Sequence, residues 1–192
     1  MRIVMWKRFS YAFALVAVAA IAAFADGSAE RFRIRDECDA ATFNAGPPTG
    51  PGLGNICDPR FGGDQTFADF IDEVAQTQEA EHWRFQPEQT TVDRGERTTF
   101  QSRGGETHTF TRVANFGGGV VPVLNDLSGA GPTVPECGSP ASGPLPPSAT
   151  NFFVLAGTDS AGPTAGSAAL PRGTTKWQCC IHPWMQSTIT VR

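Results

Sequence analysis

The chain has 192 residues, a formal net charge of −4, 18% charged residues and 40% hydrophobic residues. This length favours one domain with appended segments over two full domains. The acidic balance gives the chain no electrostatic reason to bind nucleic acid, so no nucleic-acid partner is expected.

Residues 1–25 have the pattern of a secretory signal peptide. Three basic residues precede an apolar run over residues 11–24, which is too short to span a bilayer comfortably. Residues 23–25 then offer the small side chains that a signal peptidase recognises. We therefore expect cleavage before Asp26 and a periplasmic or secreted protein with no stable membrane span. An uncleaved N-terminal anchor is the alternative.

Residues 26–80 are predicted to be an irregular leader followed by one helix. The leader extends to residue 65, and residues 44–54 within it are dense in glycine and proline. From Phe67 to Val74, apolar side chains recur at spacings of three and four, which is typical of an amphipathic helix. We expect this helix to cover residues 66–78 and to pack on the outside of the domain.

Residues 81–192 have the pattern of a β domain. Short alternating or β-branched runs predict strands near residues 83–85, 90–92, 97–101, 107–113, 151–155, 174–177 and 187–191. Residues 115–147 are rich in glycine and proline with no sustained period, and residues 157–166 are predicted to be a loop. Many short strands with frequent turns indicate an all-β sandwich or barrel.

The five cysteines are Cys38, Cys57, Cys137, Cys179 and Cys180. An odd number in an exported chain indicates one thiol with a separate role. If Cys179 has that role, the other four suffice for two disulfides in an oxidising compartment. We favour Cys38–Cys57 and Cys137–Cys180, which would close one local loop and tie the long insertion to the Cys179 strand. Four cysteines allow three connectivities, so the sequence leaves the pairing open.

A thiol, an imidazole and a thioether lie close together near the C-terminus, at Cys179, His182 and Met185. Soft sulfur donors combined with imidazole suit copper cycling between Cu(I) and Cu(II) better than a hard cation. A type-1 copper site needs a second imidazole, and His108 is the candidate for it. We therefore expect one copper ion held by His108, Cys179, His182 and Met185, joining two distant parts of the domain.

Other sites match the sequence less well. A zinc site matches the sequence poorly, because thioether is a poor zinc ligand and the sequence offers only two histidines and one strong thiolate for it. A vicinal disulfide between Cys179 and Cys180 is a further alternative that would abolish the site. The sequence shows no Ser/His/Asp set at a defined spacing, and the glycines at 117–119 lack the lysine of a phosphate loop.

The segment Cys179-x-x-His182-Pro183-Trp184-Met185, with Gly-x-x-His108-Thr109-Phe110 upstream, resembles the cupredoxin family of small type-1 blue-copper proteins. The resemblance covers roughly residues 81–192. It implies a Greek-key β-sandwich with copper near one end and single-electron transfer as the activity. It also implies the same four ligands.

We accordingly expect an exported type-1 copper protein that carries single electrons between redox partner proteins as a monomer, and that is an electron carrier more than an enzyme. His182 is the expected point of electron exit. Pro183, Trp184 and residues 120–124 are expected to form a hydrophobic docking surface around it. The alternatives are an extracytoplasmic copper-binding, delivery or sensing protein and a catalytic copper site with an open position.

Overall fold

The computed structural model describes residues 29–45 and 55–192, which form a β-sandwich of two main sheets with helices at its edge. The signal peptide predicted at residues 1–25 lies outside these ranges. None of the helices within the described ranges is long and apolar enough to cross a membrane.

Nine strands build the two main sheets. The four-stranded sheet has, in spatial order, β2 (Arg84–Gln86), β1 (Glu30–Arg35), β4 (Arg97–Ser102) and β9 (Asp159–Thr164). The five-stranded sheet has, in spatial order, β3 (Gln89–Val92), β11 (Gln186–Val191), β10 (Gly173–Gln178), β5 (His108–Val113) and β8 (Asn151–Val154). β1 is parallel to β4 and β3 is parallel to β11, whereas the other pairs are antiparallel. The chain therefore crosses between the sheets repeatedly, as in a Greek-key sandwich.

The remaining elements are short. They are α1 (Ala40–Ala45), α2 (Phe67–Thr77), α3 (Pro122–Ser128), a 3-10 helix (Pro135–Cys137) and the small hairpin of β6 (Gly138–Ser139) and β7 (Gly143–Pro144).

Phe110 of β5 lies at the centre of the core between the two sheets. Its ring centroid is 4.8 Å from that of Phe100, 4.9 Å from that of Phe85 and 5.2 Å from that of Phe32, all on the four-stranded sheet. On its own sheet it stacks on Trp177 at 4.9 Å. Aromatic pairs at these separations add stabilisation beyond the burial of their area, so this cluster fixes how the two sheets pack.

Helix α2 confirms the helix predicted at residues 66–78. The Thr66 hydroxyl accepts a hydrogen bond from the Asp69 N–H and caps the first turn, and Gln78 ends the helix in a left-handed conformation. Phe70 and Val74 lie on the buried face, as the spacing of the apolar residues predicts.

The predicted irregularity of residues 26–65 was wrong for two segments, β1 and α1. β1 is a full member of the four-stranded sheet, with Phe32 and Ile34 turned into the core. Its sequence, Glu-Arg-Phe-Arg-Ile-Arg, alternates charged and apolar residues after its first position, which is a local strand pattern that the prediction overlooked. Its neighbours β4 and β2 are distant in the sequence and could not be inferred from that pattern.

Two other segments also differ from the prediction. Residues 157–166 were predicted to be a loop, yet they contain β9, which pairs antiparallel with β4 despite carrying Gly162 and Pro163. β9 is an edge strand, and such a strand tolerates proline because one side of its backbone has no ladder partner.

Residues 115–147 were predicted to lack periodic structure, yet they contain α3, which packs against α2.

Both predicted disulfides are present, Cys38–Cys57 and Cys137–Cys180. Among the described residues, Cys179 is the free cysteine, and it is buried. The vicinal Cys179–Cys180 bond is therefore excluded, and Cys180 is occupied as a structural cysteine.

Candidate metal centre

Two adjacent strands bring the predicted ligands to one end of the five-stranded sheet. His108 is the first residue of β5, and Cys179 follows the last residue of β10. β5 and β10 are antiparallel neighbours, with Gln178 opposite Thr111, so the start of one strand lies beside the end of the other.

The loop between β10 and β11 carries the second histidine. The Cys179 N–H donates to the Met185 carbonyl at 2.9 Å, and the Met185 N–H donates to the His182 carbonyl at 3.0 Å. These two bonds close a tight turn in which Pro183 follows the histidine with a fixed φ and no backbone donor. The loop thereby returns His182 to the vicinity of the thiol.

The three donor atoms converge on one small volume. The Cys179 Sγ lies 3.9 Å from the His108 Nδ1 and 3.9 Å from the His182 Nδ1, and all three atoms lie within 4.8 Å of one another. Two metal bonds of about 2.0 to 2.3 Å at a trigonal angle separate their donor atoms by about 3.7 Å. The spacing of these donors therefore fits a single ion. All three residues are almost fully buried.

The local charges favour a thiolate. Burial alone would raise the pKa of Cys179, but hydrogen bonds from His108 and His182 outweigh it, and the pKa lies well below the usual value for a thiol. For His108, burial alone would lower the pKa, yet the hydrogen bonds to Asp36 and Cys179 raise it to about 10. These contacts favour the thiolate form of Cys179, which is the form that binds a metal ion.

His108 is held from its outer side by Asp36, which directly follows β1. The Asp36 Oδ2 lies 2.8 Å from the His108 Nε2. The same carboxylate accepts from the Gly105 N–H at 2.8 Å and from the Glu106 N–H at 3.3 Å. A buried carboxylate needs such partners, and this one fixes the ring so that the Nδ1 faces the thiol.

The close approach of the chain to Asp36 requires glycine at residue 104. A Cβ on Gly104 would overlap the Asp36 carboxylate, so any larger residue would displace that group. The Gly-Gly pair before Glu106 therefore serves the hydrogen bonds that orient His108.

His182 has a second carboxylate on its outer side, but the contact is looser. The Glu106 Oε2 lies 3.5 Å from the His182 Nε2, and the same oxygen accepts a hydrogen bond from the Trp83 Nε1. Burial raises the pKa of Glu106 above its ordinary value. The two imidazoles are thus each backed by a buried carboxylate, from the end of β1 in one case and from the turn before β5 in the other.

An aromatic cover lies over His182. Its ring centroid is 5.6 Å from that of Trp184, 6.0 Å from that of Phe70 and 6.4 Å from that of Trp83. His182 is only 2% exposed as a result. A cavity of about 240 Å³ opens beside the ring, lined by α2, α3 and neighbouring residues that include Phe70, Glu106, Leu124 and His182.

The expected docking surface around His182 is buried in part. Pro183 is buried and Trp184 is half-buried. Val120, Val121 and Leu124 belong to the buried core, whereas Pro122 is exposed and Val123 is 48% exposed. The reason is that α2 and the 115–147 insertion pack over this end of the sandwich, which a motif in the C-terminal loop could not reveal.

Met185 lies at the end of the loop between β10 and β11 and is 1% exposed. Its backbone holds the loop through the two hydrogen bonds described above, and β11 begins at the next residue. The structure thus brings His108, Cys179 and His182 together and leaves Met185 in the same buried loop.

Sequence reasoning missed Asp36 and Glu106. Glu106 stands two residues before His108. This closeness in the sequence to a predicted ligand was the one signal that could have indicated its role. Asp36 is 72 positions from His108, in a segment predicted to be irregular, and no local pattern indicated it.

Solved cupredoxin structures are similar to this chain over part of its length. A purple cupredoxin from Nitrosopumilus maritimus is 13% identical, with a TM-score of 0.37, over 59% of this chain and 86% of its own. A mutant of amicyanin in its Cu(I) form is 14% identical, with a TM-score of 0.33, over 57% of this chain and 73% of its own. No protein-family model and no curated protein matches the chain.

The described residues have a cupredoxin-like fold. Two sheets pack face to face with Greek-key crossings, and a buried His-Cys-His cluster lies at one end. This is the class of architecture that the sequence motif implied.

Proposed function

We propose that the protein is an exported type-1 copper protein that carries single electrons. The observation that carries the proposal is the free buried Cys179 thiol lying 3.9 Å from two imidazole nitrogens, each imidazole backed by a carboxylate. Two imidazoles and one thiolate form the equatorial donor set of blue-copper sites.

The residues that would hold the ion are His108, Cys179 and His182, with Met185 as a weak axial ligand. Copper would supply a one-electron Cu(II)/Cu(I) couple there. The softness of the donor set supports copper over zinc, because thiolate and thioether favour Cu(I) and imidazole accommodates both oxidation states.

The chain's own contribution is to keep the donors in place in both oxidation states. His108 begins a central strand and is fixed by Asp36, whereas Cys179 is fixed by β10 and by the N–H of Ile181, 3.4 Å from its sulfur. The Cys137–Cys180 disulfide anchors the residue next to the thiolate to the insertion. Rigid donors reduce the rearrangement that accompanies electron transfer.

Burial of the three donors also bears on the alternative role in copper delivery. A protein that passes on its metal needs a ligand that an acceptor can reach, and all three donors here are at most 2% exposed. Burial therefore supports a retained ion. The disulfides support an oxidising, extracytoplasmic location, in line with the signal peptide expected at residues 1–25.

The test is the visible spectrum of the copper-loaded protein. We expect strong absorption at about 600 nm, arising from the thiolate–copper bond, and slow loss of copper to a chelator. Cys179→Ser should abolish the colour, whereas Cys180→Ser should keep it, since Cys180 is a disulfide partner. A colourless Cu(I) protein that exchanges its metal rapidly would favour delivery, and colour that survives Cys179→Ser would refute the ligand assignment.

A further inference from the structure

The outer surface of the four-stranded sheet carries a concentration of arginines. We call this surface the arginine face and define it by Arg31, Arg33, Arg35, Arg97 and Arg103. The first three alternate along β1 with the buried Phe32 and Ile34, so their side chains leave the same side of the sheet.

The register of β1 against β4 places the arginines in neighbouring rows. Arg31 pairs with Thr99 and Arg33 with Gln101, and Arg103 follows β4 at the same end as Arg35. Arg33, Arg35 and Arg103 line one shallow groove of about 340 Å³ with Gln86 and Gln101. The groove is therefore bordered by guanidinium and amide groups.

Most of this positive charge is uncompensated. Arg35 faces Glu37 at 3.5 Å in a half-exposed pair, and Arg103 faces Asp159 at 3.7 Å in an exposed pair. Arg31, Arg33 and Arg97 are exposed and have no ion-pair partner within residues 29–45 and 55–192. Structural ion pairing thus does not account for their charge.

The remainder of the molecule has the opposite sign. The chain has 19 acidic against 15 basic residues, and exposed acids cluster on α2 and the turn after it, at Asp69, Asp72, Glu79 and Glu81. A positive surface on an acidic protein orients an approaching anionic partner, because the rest of the molecule repels it.

The arginine face also borders the residues that support the metal centre. Arg35 precedes Asp36, whose carboxylate binds His108, and Arg103 precedes the Gly104-Gly105 turn that wraps Asp36. The His182 side has no such surface among the described residues, because aromatic residues of α2 and the ligand loop cover it.

We propose that the arginine face is the docking surface for an acidic protein partner, whose own acidic side chains pair with the guanidinium groups. Guanidinium forks match carboxylates in a bidentate manner, which favours a folded acidic surface over diffuse counter-ions. That the partner exchanges electrons with this protein rests on the function proposed above. The docking itself does not.

The experiment measures binding to the metal-free protein, so that it does not depend on copper. Isotope-labelled wild-type protein is titrated with cytochrome b5, used as an acidic redox protein, and with cytochrome c as a basic one, while amide chemical shifts are followed. We expect cytochrome b5 to shift amides of β1 and β4. Binding should weaken as salt is raised, because the screening length falls from about 10 Å at 0.1 M to about 3 Å at 1 M.

Matched charge reversals give the control. Arg31→Glu with Arg33→Glu should weaken cytochrome b5 binding roughly 10-fold or more at low salt. Arg94→Glu with Arg172→Glu makes the same charge change at exposed positions outside the face and should weaken it less than about twofold. Unchanged spectra outside the substituted positions would show that each variant is folded.

Equal weakening by both pairs of substitutions, or shifts confined to α2, would overturn the proposal. So would saturable binding of the wild type to phosphatidylglycerol vesicles in the absence of cytochrome b5 binding, since the surface would then be specific for a membrane. If the proposed function fails instead, the copper-loaded protein lacks its blue band while these binding results stand.

Discussion

The two histidines of the centre are the same side chain in two different settings. His108 is part of a central strand, is fully buried, and has a carboxylate 2.8 Å from its outer nitrogen. His182 is in a loop, has a carboxylate at 3.5 Å that also binds Trp83, and borders a cavity. The sheet therefore fixes one histidine, whereas the packing of a helix and an insertion fixes the other.

This difference predicts which substitutions the site tolerates. The orientation of His108 depends on hydrogen bonds to a single group, so it should fail when Asp36 changes. The position of His182 depends on many apolar contacts, so it should resist single changes. The cavity beside it should admit a small molecule only when the ring is removed.

The largest effect is expected from removing each imidazole. His108→Gly and His182→Gly should both lose the blue band, but added imidazole should restore it only in His182→Gly. The reason is that the 240 Å³ cavity opens onto the space left by His182, whereas the space left by His108 is enclosed. Titration of each copper-loaded variant with imidazole, followed by visible absorption, measures this, and rescue of His108→Gly alone would invert the comparison.

The next largest effect is expected from removing the disulfides, one of which lies on the His108 side of the site and the other on the His182 side. Cys38–Cys57 supports the Gly105 turn beside His108, and Cys137–Cys180 anchors the insertion over His182. With sequence separations of 19 and 43, loop-closure entropy gives losses of about 3 and about 4 kcal/mol in the free energy of unfolding. Paired Cys→Ala variants of each bond, unfolded in urea, test this, and an unchanged free energy would show that neither loop is restrained.

A smaller effect is expected from replacing each of the two carboxylates that contact the histidines with an amide. Asp36→Asn should weaken copper binding roughly 10- to 100-fold, because the ring of His108 loses its charged partner. Glu106→Gln should weaken it only a few-fold, since its contact with His182 is longer and shared with Trp83. Competition against a copper chelator measures both affinities, with circular dichroism as the check on folding. Equal losses would show that the two sides are equivalent.

The smallest structural effect is expected at Met185. Met185→Leu should keep the copper and the fold, because the backbone bonds of residue 185 close the loop whatever its side chain is. The reduction potential should rise, because a weak electron-donating ligand is lost. Voltammetry of the copper-loaded variant measures the change, and complete loss of copper binding would show that Met185 is more than an axial ligand.

Local patterns were sufficient to predict several parts of this protein. The spacing from Phe67 to Val74 predicted α2, and the alternation around Phe110 predicted β5. The cluster of thiol, imidazole and thioether near the C-terminus predicted that Cys179, His182 and Met185 share one turn, and the odd cysteine count predicted one free thiol, which the structure has at Cys179. Each of these signals can be recognised directly, from periodicity, donor chemistry or a simple count of cysteines.

The sequence by itself determined which donors are available, and that His108 lies on one strand and Cys179 at the end of another strand of one β domain. Only the tertiary structure decided what surrounds them. Asp36 reaches His108 across 72 positions through the pairing of β1 with β4, and α2 reaches His182 by packing. Such contacts depend on which strands become neighbours, and that choice is made by burial and hydrogen bonding summed over the whole sandwich.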